Sequence, residues 1–241
     1  MKSKTKTALH TLDYFKKHKE CNENKFPKII KHYKDGNYML NVKYPDIQNI
    51  GCFELAIATF AKYINRPFEL IFLANLNFVF NHNHFIESEK FADSFFAPIY
   101  INCVNYLHKF HGIELVYYPC VCFDETKQYF HDQIHKNEMP VITHLSDYWN
   151  PYSPKYQKFD VNHLCIACDM NDKGITCVDT YSLSEPKLIE YDYLEKGTKY
   201  IYKANIHDLP SLTAEEIIND LKSNLKSSKL NVFDEIRKFA K

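Results

Sequence analysis

Apolar residues recur at helical spacing shortly after position 50. They stand three or four positions apart: Phe53, Ile57, Phe60 and Ile64. This spacing places an apolar stripe along a helix, and the alanines between these residues favour the same structure. Pro67 ends the pattern, because proline lacks the backbone N–H that a helix interior needs. We therefore predict a buried helix over residues 52–64.

Two further helical segments are predicted in the first half of the chain. The first covers residues 68–76. The second covers residues 88–111, where large apolar residues again recur every three or four positions. Gly112 follows directly and is predicted to cap this helix, because glycine readily adopts the left-handed conformation that ends many helices.

Beyond residue 112 the hydrophobic pattern changes from helical to extended. Short segments rich in β-branched and aromatic residues alternate with turn residues at 113–118, 140–145, 163–168, 175–179, 187–191 and 199–203. Such segments predict an antiparallel sheet. Helices followed by a sheet within one chain indicate an α+β fold, and we expect a single domain over residues 1–241.

The two ends of the chain carry patterns of their own. Residues 1–45 are predicted to form a basic arm with one or two helical stretches and a short strand at 38–42. Its first 34 residues hold ten lysines and three acidic residues, a charge surplus that suits an acidic partner. Residues 205–241 are predicted to be a helical extension that opens with a capping box from Thr213 to Glu216.

The composition excludes several classes of function. Only five of the 241 residues are glycine, and no two are close enough for a Walker loop or a Gly-rich dinucleotide turn. Acidic and basic side chains balance, and only two basic residues are arginine, which argues against nucleic-acid binding. No apolar run is long enough to span a bilayer or to act as a secretion signal. We expect a cytoplasmic protein with reduced cysteines, no nucleic-acid partner and no membrane association.

Cys52 is the first candidate for chemistry. It follows Gly51 and begins the predicted buried helix. A thiol at a helix N-terminus lies beside unpaired backbone N–H groups and the positive end of the helix dipole, which favour its thiolate form. The same N–H groups can stabilise an oxyanion on an attacked carbonyl. By position alone an inert buried cysteine is the more common case, so a catalytic assignment needs a base nearby.

His163 and Asp179 supply that base and its partner. They flank a predicted turn and are centred on Asn171. In an antiparallel hairpin with a loop of odd length, this symmetry places them directly opposite each other, with Cβ atoms about 4.5–5.5 Å apart. A carboxylate in that position orients the imidazole for a cysteine on a facing helix. A loop of even length would break the pairing and leave a surface histidine beside a strand-end aspartate.

Metal binding is the competing interpretation for the cysteines. Cys165 and Cys168 have the spacing of zinc ligands. However, a strand places positions three apart on opposite faces, and the sequence has no second pair with this spacing. His82 and His84 are another metal candidate, in Asn-rich surroundings that favour a loop. We predict no metal and no cofactor.

Two blocks of the sequence resemble a known family. The first is the run Gly51-Cys52-Phe53-Glu54-Leu55-Ala56, which continues through Tyr63 and Glu69 to Phe80. The second is more specific and consists of Asp147, Tyr148, Pro151, Tyr152, Pro154 and Tyr156, followed by His163, Asp169 and Asp179. In this order, over roughly residues 45–200, the blocks resemble the butirosin-biosynthesis BtrH-type proteins.

The resemblance implies a papain-like cysteine-peptidase fold used for acyl transfer. Proteins of this kind take an acyl chain from the thioester of an acyl carrier protein and pass it to an amine in specialised metabolism. The resemblance implies Cys52 as nucleophile, His163 as proton carrier and Asp179 as the orienting carboxylate. Papain-like enzymes also carry a glutamine six residues before the cysteine, where this chain has Asp46. We therefore expect the backbone N–H of Cys52 to hold the oxyanion.

The predicted function is that of a cysteine-dependent N-acyltransferase. It would move an acyl group from a carrier thioester to a small amine, such as a diamine, without ATP. The aromatic residues of 148–156 are predicted to wall the channel, and Asp147 to receive a cationic amine. Two alternatives stay open. One is a peptidase, amidase or thioesterase that uses the same three residues with water, and the other is a carrier-binding protein without chemistry.

Overall fold

The fold was obtained as a computed structural model, which describes residues 29–32, 38–45, 51–76, 99–179 and 185–227. The helical elements are α1 (Cys52–Tyr63), a 3₁₀ helix (Glu69–Leu76), α2 (Ile99–His111), α3 (Phe123–His131), a π-helical turn (Asp132–Lys136), α4 (Tyr191–Gly197) and α5 (Ala214–Ser227). The strands are β1 (Ile29–His32), β2 (Tyr38–Leu40), β3 (Ile113–Pro119), β4 (Val141–His144), β5 (Leu164–Met170), β6 (Gly174–Val178), β7 (Lys187–Glu190) and β8 (Tyr200–Ile206).

Six of these strands form one antiparallel sheet. Their order across the sheet is β3-β8-β4-β5-β6-β7. Each of the six begins and ends within a few residues of a segment predicted from the alternation of apolar and turn residues. The antiparallel sheet and the α+β fold class are therefore confirmed.

Helix α1 lies against the middle of this sheet, where it contacts β4 and β5. It begins at Cys52 and ends at Tyr63, within one residue of the predicted bounds. Every side chain from Phe53 to Ala61 is buried. A helix that is buried all round occupies the core of a domain. Its first turn therefore has a fixed position relative to the strands.

The other predicted helices are found with changes in detail. The second segment is a 3₁₀ helix, and the third is described from Ile99 as α2, while residues 88–98 lie outside the described part. Gly112 has a φ of 65°, and its N–H donates to the carbonyl of His108, which confirms it as the cap of α2. Helix α3 was not predicted, because Thr126, Phe130 and Ile134 form only a narrow buried stripe.

The chain ends are described in part. Strands β1 and β2 pair as a hairpin, of which only β2 was predicted, and Leu40 and Val42 belong to the core. Residues 1–28, which carry most of the basic arm, lie outside the described residues. At the other end, the N–H of Thr213 donates to the Glu216 carboxylate (2.7 Å) and the N–H of Glu216 to the Thr213 hydroxyl (3.2 Å). This confirms the predicted capping box. No helix in the described ranges is long and apolar enough to cross a membrane.

The hairpin of β5 and β6 departs from the predicted register. Its pairs are Met170–Ile175 and Asp169–Thr176 near the turn, and Ala167–Cys177 and Ile166–Val178 beyond a bulge at Cys168. This ladder places Asp179 opposite Cys165, and His163 lies two residues before Cys165 in the chain. The prediction that His163 and Asp179 stand directly opposite each other is therefore wrong. The two are diagonal neighbours across the ladder.

The bulge at Cys168 decides which face each side chain occupies. Near the turn, even-numbered residues of β5 pair with odd-numbered residues of β6. In that register His163 and Asp179 would project from opposite faces of the sheet, because side chains alternate along a strand. The extra residue in β5 changes the pairing to even with even. His163 and Asp179 thereby return to the same face.

Candidate active site

Cys52 is the first residue of α1 and is partly exposed. Hydrogen bonding within the helix begins with the N–H of Leu55, which donates to the carbonyl of Gly51 at 3.0 Å. The N–H groups of the first turn therefore have no partner within the helix. The thiol lies beside them, as the sequence predicts. This is the place where an anion is stabilised by the helix terminus.

Gly51 leaves room for the carboxylate of Glu54, which folds back across the start of α1. A Cβ atom at position 51 would lie 2.6 Å from Oε2 of Glu54. Glu54 is buried, and its negative charge near the helix N-terminus stabilises the helix. A glycine before Cys52 therefore serves local packing as well as access to the sulfur.

The imidazole of His163 is bound to the carboxylate of Asp179. Nε2 of His163 lies 3.0 Å from Oδ1 of Asp179, and the two side chains are only 4% and 3% exposed. His163 directly precedes β5, and Asp179 directly follows β6. Both residues therefore lie at the same end of this pair of strands. The antiparallel pairing brings them together although they are 16 positions apart in the sequence.

Hydrogen bonds on both sides of the imidazole keep it charged. Burial lowers the pKa of His163, but the hydrogen bond to Asp179 and a second one to the thiol of Cys52 outweigh burial and raise it to about 10. Because Asp179 holds Nε2, Nδ1 is the ring nitrogen left for Cys52. His163 is therefore positively charged at neutral pH, and this charge lies beside the sulfur of Cys52.

Asn150 is a further residue of the candidate site, and the sequence did not indicate it. Its Nδ2 donates to Oδ2 of Asp179 at 2.8 Å, and its Oδ1 accepts the N–H of Tyr152 at 3.0 Å. The side chain is fully buried. The two oxygens of Asp179 are thus held by different partners, His163 and Asn150. The available signal in the sequence was an asparagine between Trp149 and Pro151. Asparagine before proline is equally typical of an ordinary turn.

Tyr44 lies over the buried side of the site. Its hydroxyl donates to the carbonyl of Val178 at 3.2 Å, next to Asp179. Burial raises the pKa of this hydroxyl, and the nearby Asp179 raises it further. Tyr44 is therefore a neutral hydrogen-bond donor to the main chain next to Asp179.

The aromatic residues around Asn150 are hydrogen-bonded to strand β7 and helix α4. The hydroxyl of Tyr152 donates to the carbonyl of Leu188 in β7 at 2.9 Å, and that of Tyr156 to the hydroxyl of Tyr193 in α4 at 3.3 Å. These contacts hold the loop that carries Asn150. Asp147, which was predicted to receive a cationic amine, is buried and forms an ion pair with Nζ of Lys155 at 3.2 Å. The ammonium group that faces it in this structure is that of Lys155.

Of the two metal candidates, only the cysteine pair falls within the described residues. Cys165 and Cys168 are fully buried, and His82 and His84 lie outside the described residues. Over the part of the chain that the structure describes, no three His, Cys, Asp or Glu side chains are grouped so that they could hold a metal ion.

Comparison by sequence adds no relative: the chain matches no protein-family model and no curated protein. A partly exposed sulfur at a helix N-terminus neighbours a buried, charged imidazole, and that imidazole is bound to a carboxylate with two hydrogen-bond partners. This arrangement suits nucleophilic attack by sulfur on an acyl group.

Proposed function

We propose that this protein is a cysteine-dependent N-acyltransferase with a papain-like arrangement of its helix and sheet. The observation that carries the proposal is the buried pair of His163 and Asp179 (3.0 Å), whose imidazole has the sulfur of Cys52 at the start of α1 as its further partner. A helix-borne cysteine facing a histidine and an aspartate at the edge of an antiparallel sheet is also what the resemblance to BtrH-type proteins implies. The donor would be an acyl thioester on a carrier protein, and the acceptor a small amine.

In the first half-reaction the sulfur of Cys52 attacks the thioester carbonyl. A new C–S bond forms to Cys52 while the C–S bond to the carrier breaks, and the departing carrier sulfur takes a proton from His163. The N–H groups of the first turn of α1 stabilise the oxyanion in between. The products are an acyl-enzyme, a free carrier thiol and a neutral imidazole.

In the second half-reaction the amine attacks the acyl group on Cys52. A C–N bond forms, the C–S bond to Cys52 breaks, and the neutral imidazole of His163 accepts the proton that the amine loses. Asp179 stabilises the imidazolium that forms again. The cycle closes with the thiolate and the imidazolium restored.

This sequence of steps requires no phosphate chemistry. Exchange between two thioesters is nearly balanced in free energy, and formation of an amide from a thioester is downhill. The absence of a Gly-rich phosphate loop from the sequence agrees with this. The competing reaction is hydrolysis, so the amine must be held close to Cys52 while water is kept away.

The test is intact-mass analysis during incubation with an acyl-pantetheine thioester, with and without a simple diamine. An acyl adduct should form on the wild-type protein and on Cys122→Ala, which removes an exposed cysteine, but not on Cys52→Ala. His163→Ala should lower turnover by about three orders of magnitude or more, as expected for removal of a triad member. Conversion of the acyl adduct to the amide when the diamine is added supports the transferase.

Other outcomes of this experiment would support a different function. Free acid at equal rates with and without the diamine would identify a hydrolase that uses the same three residues. An adduct of equal yield on Cys52→Ala would overturn both the transferase and the hydrolase. Binding of the carrier without any adduct would leave a carrier-binding protein. The predicted steering of an acidic carrier by the basic arm involves residues 1–34, most of which lie outside the described part, and its test is the salt dependence of carrier binding after deletion of the arm.

A further inference from the structure

His163 lies in the extended segment before β5. A buried histidine contacts this segment on the face opposite to the His163 side chain. His144 ends β4 and is completely buried. Its Nε2 lies 3.1 Å from Oδ1 of Asn162, the residue directly before His163. Its ring also packs against the ring of Tyr200, with 4.8 Å between the centroids.

The hydrogen bonds of His144 determine its tautomer. The backbone N–H of Lys199 donates to Nδ1 at 3.2 Å, so Nδ1 carries no proton. The proton is then on Nε2, which donates to Oδ1 of Asn162. Burial lowers the pKa of His144 and the nearby Lys199 lowers it further, although Asn162, the backbone of Gly197 and Asp160 act in the opposite direction. The ring is therefore a neutral, oriented link between Lys199 and Asn162.

The segment before His163 is anchored at alternate positions. The ladder between β4 and β5 continues past both strands, because the N–H groups of Leu145 and Asp147 donate to the carbonyls of His163 (3.0 Å) and Val161 (2.9 Å). In an extended segment alternate side chains share a face. Asn162 therefore faces His144, and His163 projects from the opposite face, toward Asp179.

We propose that His144 is a positioning residue for His163, acting through Asn162. It sets the backbone of Asn162, and through it the direction in which the imidazole of His163 leaves the strand. This inference builds on the proposed function, since it assigns to His144 the alignment of the ring that activates Cys52. Misalignment of a reacting pair by about 1 Å can cost about a hundredfold in rate.

Asn162 and His144 offer variants that separate this role from folding. Asn162 is exposed, so Asn162→Ala removes the link with little effect on the core. His144→Gln keeps an amide N–H near the place of Nε2, and His144→Asn keeps an acceptor near the place of Nδ1. If the link to Asn162 is what matters, Gln should rescue and Asn should not. Matched controls are His131→Gln and Asn105→Ala, which change exposed residues on α3 and α2.

The readout is the rate at which iodoacetamide alkylates Cys52 at about pH 6, followed by peptide mass analysis. An isolated thiol is protonated and slow there, so the rate reports the pairing of the sulfur with the imidazolium. Asn162→Ala and His144→Asn should each lower this rate about tenfold, while His144→Gln and the two controls stay within about twofold of wild type. The double variant Asn162→Ala/His144→Asn should lose no more than either single variant.

The experiment also separates the failure of this inference from failure of the proposed function. If wild type and His163→Ala are alkylated equally slowly, Cys52 and His163 do not act as a pair, and the proposed function falls. If His163→Ala is slow but Asn162→Ala matches wild type, the pair stands and the role of His144 is refuted. Thermal unfolding of each variant shows whether a lost rate reflects lost fold. A rate loss in proportion to the unfolded fraction also refutes the positioning role.

Discussion

The hydrogen bond from Asn150 to Asp179 can be tested by removing its donor. In Asn150→Ala the carboxylate keeps His163 on one oxygen but loses the amide that lies 2.8 Å from the other. Both side chains are buried, so no bulk water replaces the lost donor. The exposed Asn105 on α2 provides a matched control as Asn105→Ala.

The expected magnitude follows from burial and charge. A hydrogen bond to a charged group contributes about 1.5–3 kcal/mol, and truncation of a buried side chain adds a term for the cavity. We expect Asn150→Ala to lower the free energy of unfolding by about 2–4 kcal/mol, which moves the urea midpoint by about 1 M. Turnover should fall about tenfold at unchanged KM, because Asp179 is then free to turn away from His163.

A second substitution at the same position gives a pH signature. Asn150→Asp keeps an acceptor for the N–H of Tyr152 but places a carboxylate against Asp179. Two carboxylates that share a buried site cannot both ionise easily, so the pKa of one is raised in the folded state. The penalty is then full at neutral pH and shrinks as the pH falls toward about 4. A pH-independent penalty would contradict this.

The assay is urea unfolding followed by tryptophan fluorescence, together with steady-state kinetics on the thioester and amine. If Asn150→Ala unfolds at the wild-type midpoint and turns over at the wild-type rate, the bond contributes nothing and the reasoning is refuted. If stability falls but turnover of the folded protein does not, Asn150 supports the fold and not the orientation of Asp179.

Three further predictions concern other parts of the molecule. Gly174→Ala should cost about 2 kcal/mol of stability, since its Cβ would lie 2.1 Å from the backbone carbonyl oxygen of Ile189; an unchanged melting temperature would argue against this close approach. His111 is buried, neither ring nitrogen has a hydrogen-bond partner within the described residues, and burial lowers its pKa to about 4. The unfolded chain therefore takes up a proton below about pH 6.5 and the folded one does not, so stability should fall by about 3 kcal/mol between pH 6.5 and 4. His111→Leu should remove that part of the slope in urea titrations at several pH values. Asp179→Asn should shift the alkaline limb of the Cys52 alkylation profile to lower pH, because the carboxylate helps to raise the pKa of His163; a limb that does not move would show that Asp179 has no such effect.

Local patterns predicted the elements of the fold well. The start of α1 at Cys52 follows from the apolar spacing after Gly51, and the capping box of α5 follows from Thr213 and Glu216. Each depends on residues within one or two turns of one another. Helix α3 was missed because its buried stripe is narrow and most of its surface is polar.

The candidate site was only partly predictable. The sequence indicated the three residues that the structure brings together, Cys52, His163 and Asp179. It placed the last two in direct opposition, and the bulge at Cys168 makes them diagonal neighbours instead. A bulge is set by the packing of a whole strand against its neighbours, so the spacing of residues in one hairpin does not reveal it. Asn150 was missed for a related reason, since its partner lies 29 positions away.

By itself, the amino-acid sequence determined most of the segments that form helices and strands, where a sulfur begins a buried helix, and that phosphate-binding loops are missing. These properties depend on neighbours along the chain, through periodicity, capping and backbone conformation. Only the tertiary structure decided the register of β5 and β6, the second partner of Asp179 and the link from His144 to Asn162. The last two depend on hydrogen bonds between residues 29 and 18 positions apart, which form only when the sheet and its loops have closed around a common core.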